Sequence, residues 1–214
     1  MAYTAKTRDV LREALARDLR DPTMQTFIES ELNDLINGAV VEVSRVYPKE
    51  QVVIVVHEQD EQRYFPVGAY ALFRVELIDA DGNVVTGIPY NGQGDHAESG
   101  WDYHGGVLYL PRYISSMLFF EDGKSLRVWG YFPRNIFDDD ADVLDGDAEC
   151  EFAVRTVAAL NGYQRLQNDR LLFQQWLTNT ANTDVSPNQL AQTADMYQSQ
   201  WREMRNRIRI IQRA

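Results

Sequence analysis

A chain of 214 residues that is 44% hydrophobic has material for a sizeable core, which excludes wholesale disorder and fits one large domain or a small one inserted into another. Its 32 acidic residues outnumber 21 basic ones, and the net charge of -11 argues against gripping nucleic acid through the overall field, while leaving room for an acidic wall past which DNA slides. The lone Cys150 excludes an intramolecular disulfide or a thiolate zinc site and fits a reducing compartment, and no run has the length of a signal peptide core or a membrane span, so the expectation is a soluble chain made in the cytosol.

In chain order, Val10, Leu11, Ala14, Leu15 and Leu19 form an apolar stripe flanked by alternating Arg and Asp/Glu, and Asp21-Pro22 ends that helix. Ile28, Leu32, Leu35, Ala39, Val43 and Val46 recur three or four apart, so a second amphipathic helix is predicted over 26–47. Thr26 with Glu29 reads as its capping box, and Pro48 closes it. The pattern then turns to strands. Val52–Val56 is a β-branched run, Tyr64-Phe65 precedes Pro66, and Leu72–Ile78 leads through the turn Asp81-Gly82-Asn83 into Val84-Val85 as a hairpin. A loop over 89–106 carries Trp101 and Tyr103, and the runs Val107–Leu110 and Ser125–Phe132 each stop at a proline. These strands suffice for a small antiparallel sandwich or barrel.

Residues 138–147, rich in Asp, read as an acidic linker, in which Asp145 or Asp147 caps the helical stretch that begins near Ala148 and runs to about 178. Ser186-Pro187-Asn188-Gln189 is a second capping box with proline at the first helical position. The last helix carries Leu190, Ala194, Tyr197, Trp201, Met204, Ile208 and Ile211 on one stripe and ends with Arg202, Arg205, Arg207, Arg209 and Arg213. The expected architecture is α+β: a helical bundle from 1–48 and 148–214, with an inserted antiparallel β domain over 49–137 and the linker 138–147.

Chemistry is sparse. Asp79–Asn83 places its glycine wrongly for a calcium loop and lacks the closing Glu, so it reads as a hairpin turn. His96 and His104 share a loop with Asp95, Glu98 and Asp102, but no metal-ligand or nucleophile spacing accompanies them. Gly92-Gln93-Gly94 lacks the third glycine and following helix of a dinucleotide site. Cys150 sits in an apolar helical pattern as a core residue. No enzyme, cofactor or metal is expected. The arginine-rich end exceeds what a helix dipole needs, and the isoleucines between its arginines suit burial in a protein partner.

Phe27-Ile28-Glu29-Ser30-Glu31-Leu32 followed by Leu35-Ile36-Asn37-Gly38-Ala39 resembles the amino-terminal signature of tailed-bacteriophage head-to-tail adaptor (connector) proteins, F-[ST]-[DE]-x-E-L and then [WLY]-[IL]-N-x-A. The layout resembles theirs over most of the chain: two helices, a β insert with segments such as Gly106–Pro111 and Val128–Pro133, an Asp-rich turn and closing helices. Ile28 stands where the family often has Ser or Thr, with Thr26 expected to cap in its place, and Leu35 where an aromatic is common.

The resemblance implies a structural virion protein at the head–tail interface, assembled in the host cytoplasm as a homo-oligomeric ring of about twelve copies (a dodecamer) closed head to tail. It implies a portal protein above, a tail or nozzle protein below, and DNA passing through the lumen without sequence-specific binding. Arg205, Arg207, Ile208, Arg209, Ile210 and Ile211 are then the portal-binding segment, Glu31, Asp34 and Glu42 a ring or lumen face, and Trp101 and Tyr103 a tail-facing loop of the β domain. The rival reading is a carbohydrate- or protein-binding β module that uses Trp101, Tyr103 and Tyr109 as an aromatic platform.

Overall fold

The computed structural model describes residues 3–91, 100–118, 122–180 and 185–211, with side chains as far as Arg207. The chain has an α+β fold in which residues 1–47 with 134–214 form one compact unit and residues 48–133 a second. No helix among the described residues is long and apolar enough to cross a membrane.

The first unit is helical: α1 (Arg8–Asp18), α2 (Glu29–Ser44), α4 (Ala148–Asn168), α5 (Arg170–Asn179) and α6 (Pro187–Ile211). Leu11, Leu15, Leu32, Ile36, Val43, Val154, Val157, Trp176 and Trp201 are among the side chains of its core. At Gly162 an added Cβ would come within 2.7 Å of the Leu19 side chain, so the missing side chain lets α4 approach the end of α1.

The joint between α1 and α2 differs from expectation. The amides of Arg20 and Asp21 return to the carbonyls of Arg17 and Ala16, the two bonds of a Schellman motif, with Arg20 in the left-handed position at φ 57°. The buried Asp21 carboxylate then accepts from the amides of Gln25, Thr26 and Phe27 at 3.1, 2.8 and 2.9 Å. Thr26 is not the cap of α2. The cap position is Ile28, which has no acceptor, and only the reciprocal half of a capping box survives, with the Ile28 amide donating to Glu31 at 3.2 Å. Phe27 and Leu32, on either side of that cap, are both buried as a hydrophobic staple requires. The predicted box at α6 is present, with the Ser186 amide on Gln189 at 2.8 Å and the Gln189 amide on Ser186 at 3.3 Å.

The acidic stretch 138–147 is not a separate linker, because it belongs to the helical unit. Phe137 and Leu144 are buried in the core on either side of Asp140, which pairs with Arg8 at 2.9 Å and Arg12 at 2.7 Å. Asp142 accepts from the amides of Asp138 and Asp139, and Asp147 caps α4 through the Cys150 amide at 2.8 Å. These bonds absorb charges that a solvated run would leave to water. Asn37 exchanges two hydrogen bonds with the backbone of Phe137, at 3.1 and 3.0 Å. Arg134 donates its amide to Ser44 and its Nε to the Tyr47 carbonyl at 2.9 Å, so the points where the chain leaves and rejoins this unit are fastened to each other.

The second unit holds β1 (Lys49–Val55), β2 (Tyr64–Pro66), β3 (Ala71–Ile78), β4 (Val84–Ile88), β5 (Asp102–His104), β6 (Val107–Tyr109), the short α3 (Arg112–Ser115) and β7 (Ser125–Phe132). A four-stranded sheet in the order β1-β7-β3-β4 and a three-stranded sheet in the order β2-β6-β5 are both antiparallel throughout. Val75, Leu77, Leu126 and Val128 of the larger sheet share one apolar cluster with Phe65 and Leu108 of the smaller. The turn after β3 is held by Asp79, whose carboxylate accepts from the amides of Asp81 and Asn83, with Gly82 at φ 82°. That wiring makes it a hairpin turn.

Candidate functional site

The predicted partner-binding segment lies at the far end of α6, which runs antiparallel to α4. The Tyr163 and Tyr197 rings stack at 5.6 Å, and further along, Arg207 reaches Glu149 in the first turn of α4 at 3.9 Å. Where the two helices part, a groove of about 410 Å³ opens between Glu149 and Phe152 on one side and Gln200, Glu203, Met204 and Arg207 on the other. Met204 is buried at its base, whereas Phe152 is 52% exposed. Arg207 also meets Glu203, one turn earlier on α6, at 3.5 Å. The Nε of Arg205 is buried with no hydrogen-bond partner among the described residues. The result is a groove of mixed polar and apolar lining with charges of both signs at its rim, which suits an amphipathic segment. The backbone of 208–211 continues α6, while the side chains of Ile208, Arg209, Ile210 and Ile211 lie outside the described residues.

Phe152 is a large apolar residue in the helical stretch that begins near Ala148. The buried face of α4 instead passes through Cys150, Ala153, Val154, Val157 and Ala158, and Phe152 falls between its rows. Spacing against Cys150 and Val154 would have revealed this.

The other expected residues are scattered. Glu31 pairs with Arg165 besides holding the Ile28 amide, and Glu42 accepts from the Trp201 indole N–H at 3.1 Å. Asp34 is exposed, whereas Glu31 and Glu42 are half-buried and already committed to partners. Trp101 is 2% exposed in the core of the β unit and packs at 4.6 Å against a tilted Tyr90 ring, and the Tyr103 hydroxyl donates to the Ala69 carbonyl. Trp101 cannot serve as an exposed loop aromatic, since its bulk fills that core, while Tyr103 is half-buried with its hydroxyl committed to that carbonyl. Among the rings that do reach the surface, Tyr64 lies edge-on to the half-buried Tyr109 at 5.2 Å, and the exposed His104 stacks on Tyr109 at 4.5 Å.

His104 lies 3.4 Å from Asp102, whereas Asp95, His96 and Glu98 fall outside the described residues. Among the described residues no three His, Cys, Asp or Glu side chains are grouped to hold a metal. Cys150 is fully buried, and burial pushes its thiol up to about 11. Burial, and then the bond to Asp147, pushes Tyr47 up to about 12. Burial opposes ionisation of Asp147 itself, but the Cys150 amide, the Tyr47 hydroxyl and Arg134 together hold its carboxyl below the usual range. These shifts belong to a packed seam of the helical unit. Compared with protein-family models and with curated proteins, the chain matches none.

Proposed function

We propose that the chain is a structural head-to-tail adaptor of a tailed-phage virion, which assembles as a ring below the portal, extends the DNA channel and docks the tail, without catalytic residues. One observation carries the reading. The signature stretch that resembles the adaptor family is the joint on which the helical unit is built: Phe27, Leu32, Ile36 and Ala39 are buried, and Asn37 fastens the chain at Phe137 where it returns from the β insert. The buried residues of the signature, with Asn37, support the reading by holding that joint, while Ile28, Glu29 and Ser30 stay exposed. The β insert is read as an open sandwich, because its two sheets share a core and are linked by a bridge between Tyr90 and Trp101.

The groove at the end of α6 and the arginines beside it serve as the portal-binding site, with the segment 205–211 as the part that reaches the portal. The net charge of -11 suits a lumen that lets DNA move. As a carbohydrate-binding module the β unit loses its main stacking residue, because Trp101 is buried. The test is to mix the purified protein with the portal ring of its own phage and image the complexes by electron microscopy. Rings stacked on the portal are expected, and deletion of residues after Met204 should abolish stacking. A truncated protein that docks normally refutes the tail assignment, and full-length protein that never docks refutes the adaptor reading.

A further inference from the structure

The edge of a β-sheet leaves a row of backbone N–H and C=O groups that a further strand can take up, and proteins shorten, bend, charge or interrupt their edges to prevent it. Among the described residues the two sheets of the β unit have four edge strands, and three of them carry such a device. β2 has three residues and ends in Pro66, β5 has three and is bounded by Asp102 and His104, and β4 pairs with β3 across a register shift at Leu77 and Ile78. β1 has none of these after Glu50. It is seven residues long and pairs with β7 without a register shift, and the run Gln51-Val52-Val53-Ile54-Val55-Val56 contains neither charge nor proline. β7 lies on one side of it, and among the described residues the backbone of 50–55 has no hydrogen-bond partner on the other. Its side chains are incompletely covered on both faces. Val52, Ile54 and, just past the strand, Val56 are 47%, 52% and 64% exposed, while Val53 and Val55 pack against the core of the unit yet stay half-buried.

We infer that β1 pairs with β1 of a second copy, antiparallel about a two-fold axis at Val53, so that the two four-stranded sheets become continuous. The edge itself names the occupant. Its free groups require an extended backbone, and among the edge strands described in this chain β1 is the one long, regular and uncharged enough to supply it. Self-pairing covers both copies at once, as an isologous contact does. The side chains set the register. Opposite residues of an antiparallel pair share a face, so an axis at Val53 places Val52 against Ile54 on the outer face, Val53 against Val53 and Gln51 against Val55 toward the core, and Glu50 against Val56. β-branched residues thus meet across the joint, which suits a pleated surface, and no like charges stand directly opposite each other within 50–56. The added strand also completes the cover of Val53 and Val55 at the margin of the core. The inference is independent of the adaptor reading, since the pairing needs no portal and uses neither the groove nor the segment proposed for one.

Sedimentation velocity with the full-length protein tests it, in a concentration series carried to about 0.5 mM because a single strand edge is a small contact. Dimers are expected. Val52 and Ile54 are exposed, so charging them should leave the fold in place, which far-UV circular dichroism verifies. A chain with Val52→Lys and Ile54→Lys, and another with Val52→Glu and Ile54→Glu, should each weaken dimerisation at least tenfold, because the axis sets like charges against each other. An equimolar mixture of the two should recover it, since the lysines of one copy then face the glutamates of the other. A wild-type chain that stays monomeric throughout the series overturns the inference, as does association unchanged in either variant. A mixture no more associated than its parts overturns it too, because the loss then comes from misfolding or from another surface. Imaging the lysine variant with the portal ring separates this contact from the adaptor reading: stacking by a chain whose wild type never dimerises refutes the strand pairing alone, and a wild-type dimer that never stacks refutes the adaptor alone.

Discussion

Replacing Asp21 with Ala tests whether one buried carboxylate organises the joint between the first two helices. Its oxygens take three backbone amides, and two of them, on Thr26 and Phe27, belong to buried residues that water cannot reach. Removing the acceptor leaves each without a partner at about 1–3 kcal/mol, while the Gln25 amide turns to solvent. The expected loss is about 2–6 kcal/mol, a large part of the 5–15 kcal/mol that typically holds a domain together. Asp21→Asn should fall between, since it keeps one oxygen but turns an N–H₂ toward the same amides. Urea unfolding followed by far-UV circular dichroism reads the helical unit, and Asp34→Ala on the exposed side of α2 serves as a control expected within about 0.5 kcal/mol of wild type. An Asp21→Ala protein as stable as that control would refute the role given to the carboxylate.

Other consequences are open to direct measurement. Arg20 holds a left-handed backbone at φ 57° that glycine adopts without strain, so Arg20→Gly should raise the thermal midpoint of the helical unit, by about 1 kcal/mol in stability. The Cys150 thiol, buried and pushed up to about 11, should resist iodoacetamide at pH 8 in the native protein and react once urea unfolds it; prompt labelling of the folded chain would contradict its place in the core. Stability should fall at both ends of the pH range. Asp147 is depressed by its partners, so its contribution is present above the unfolded value of about 3.9 and is lost as pH drops through the lower folded value. Tyr47 and Tyr163, both raised to about 12 with burial as the largest cause, stabilise below an unfolded value of about 10 and lose that contribution as pH rises toward 12. Denaturation midpoints at pH 3, 7 and 11 should peak in the middle.

What the sequence determined by itself was local. Apolar residues three or four apart located α1, α2, α4 and α6, the Ser186 to Gln189 box marked the start of α6, and Asp-Gly-Asn marked the hairpin after β3, because each of these signals is written and satisfied within a few residues. Only tertiary structure decided the rest. Thr26 matched the capping pattern, yet the helix begins two residues later with Ile28 at the cap, since the chain between α1 and α2 folds back over the Asp21 carboxylate, which takes the amides of Gln25, Thr26 and Phe27. Residues 138–147 read as solvated because their cations, Arg8 and Arg12, stand more than a hundred positions away. Trp101 looked like a surface aromatic in a polar loop, but the space between two short sheets needed its bulk. The same long-range pairing that spends Asp140 on Arg8 and Arg12 leaves Asp138 and Asp139 unpaired among the described residues, and charge remaining at the surface after folding is a quantity that no reading of composition supplies.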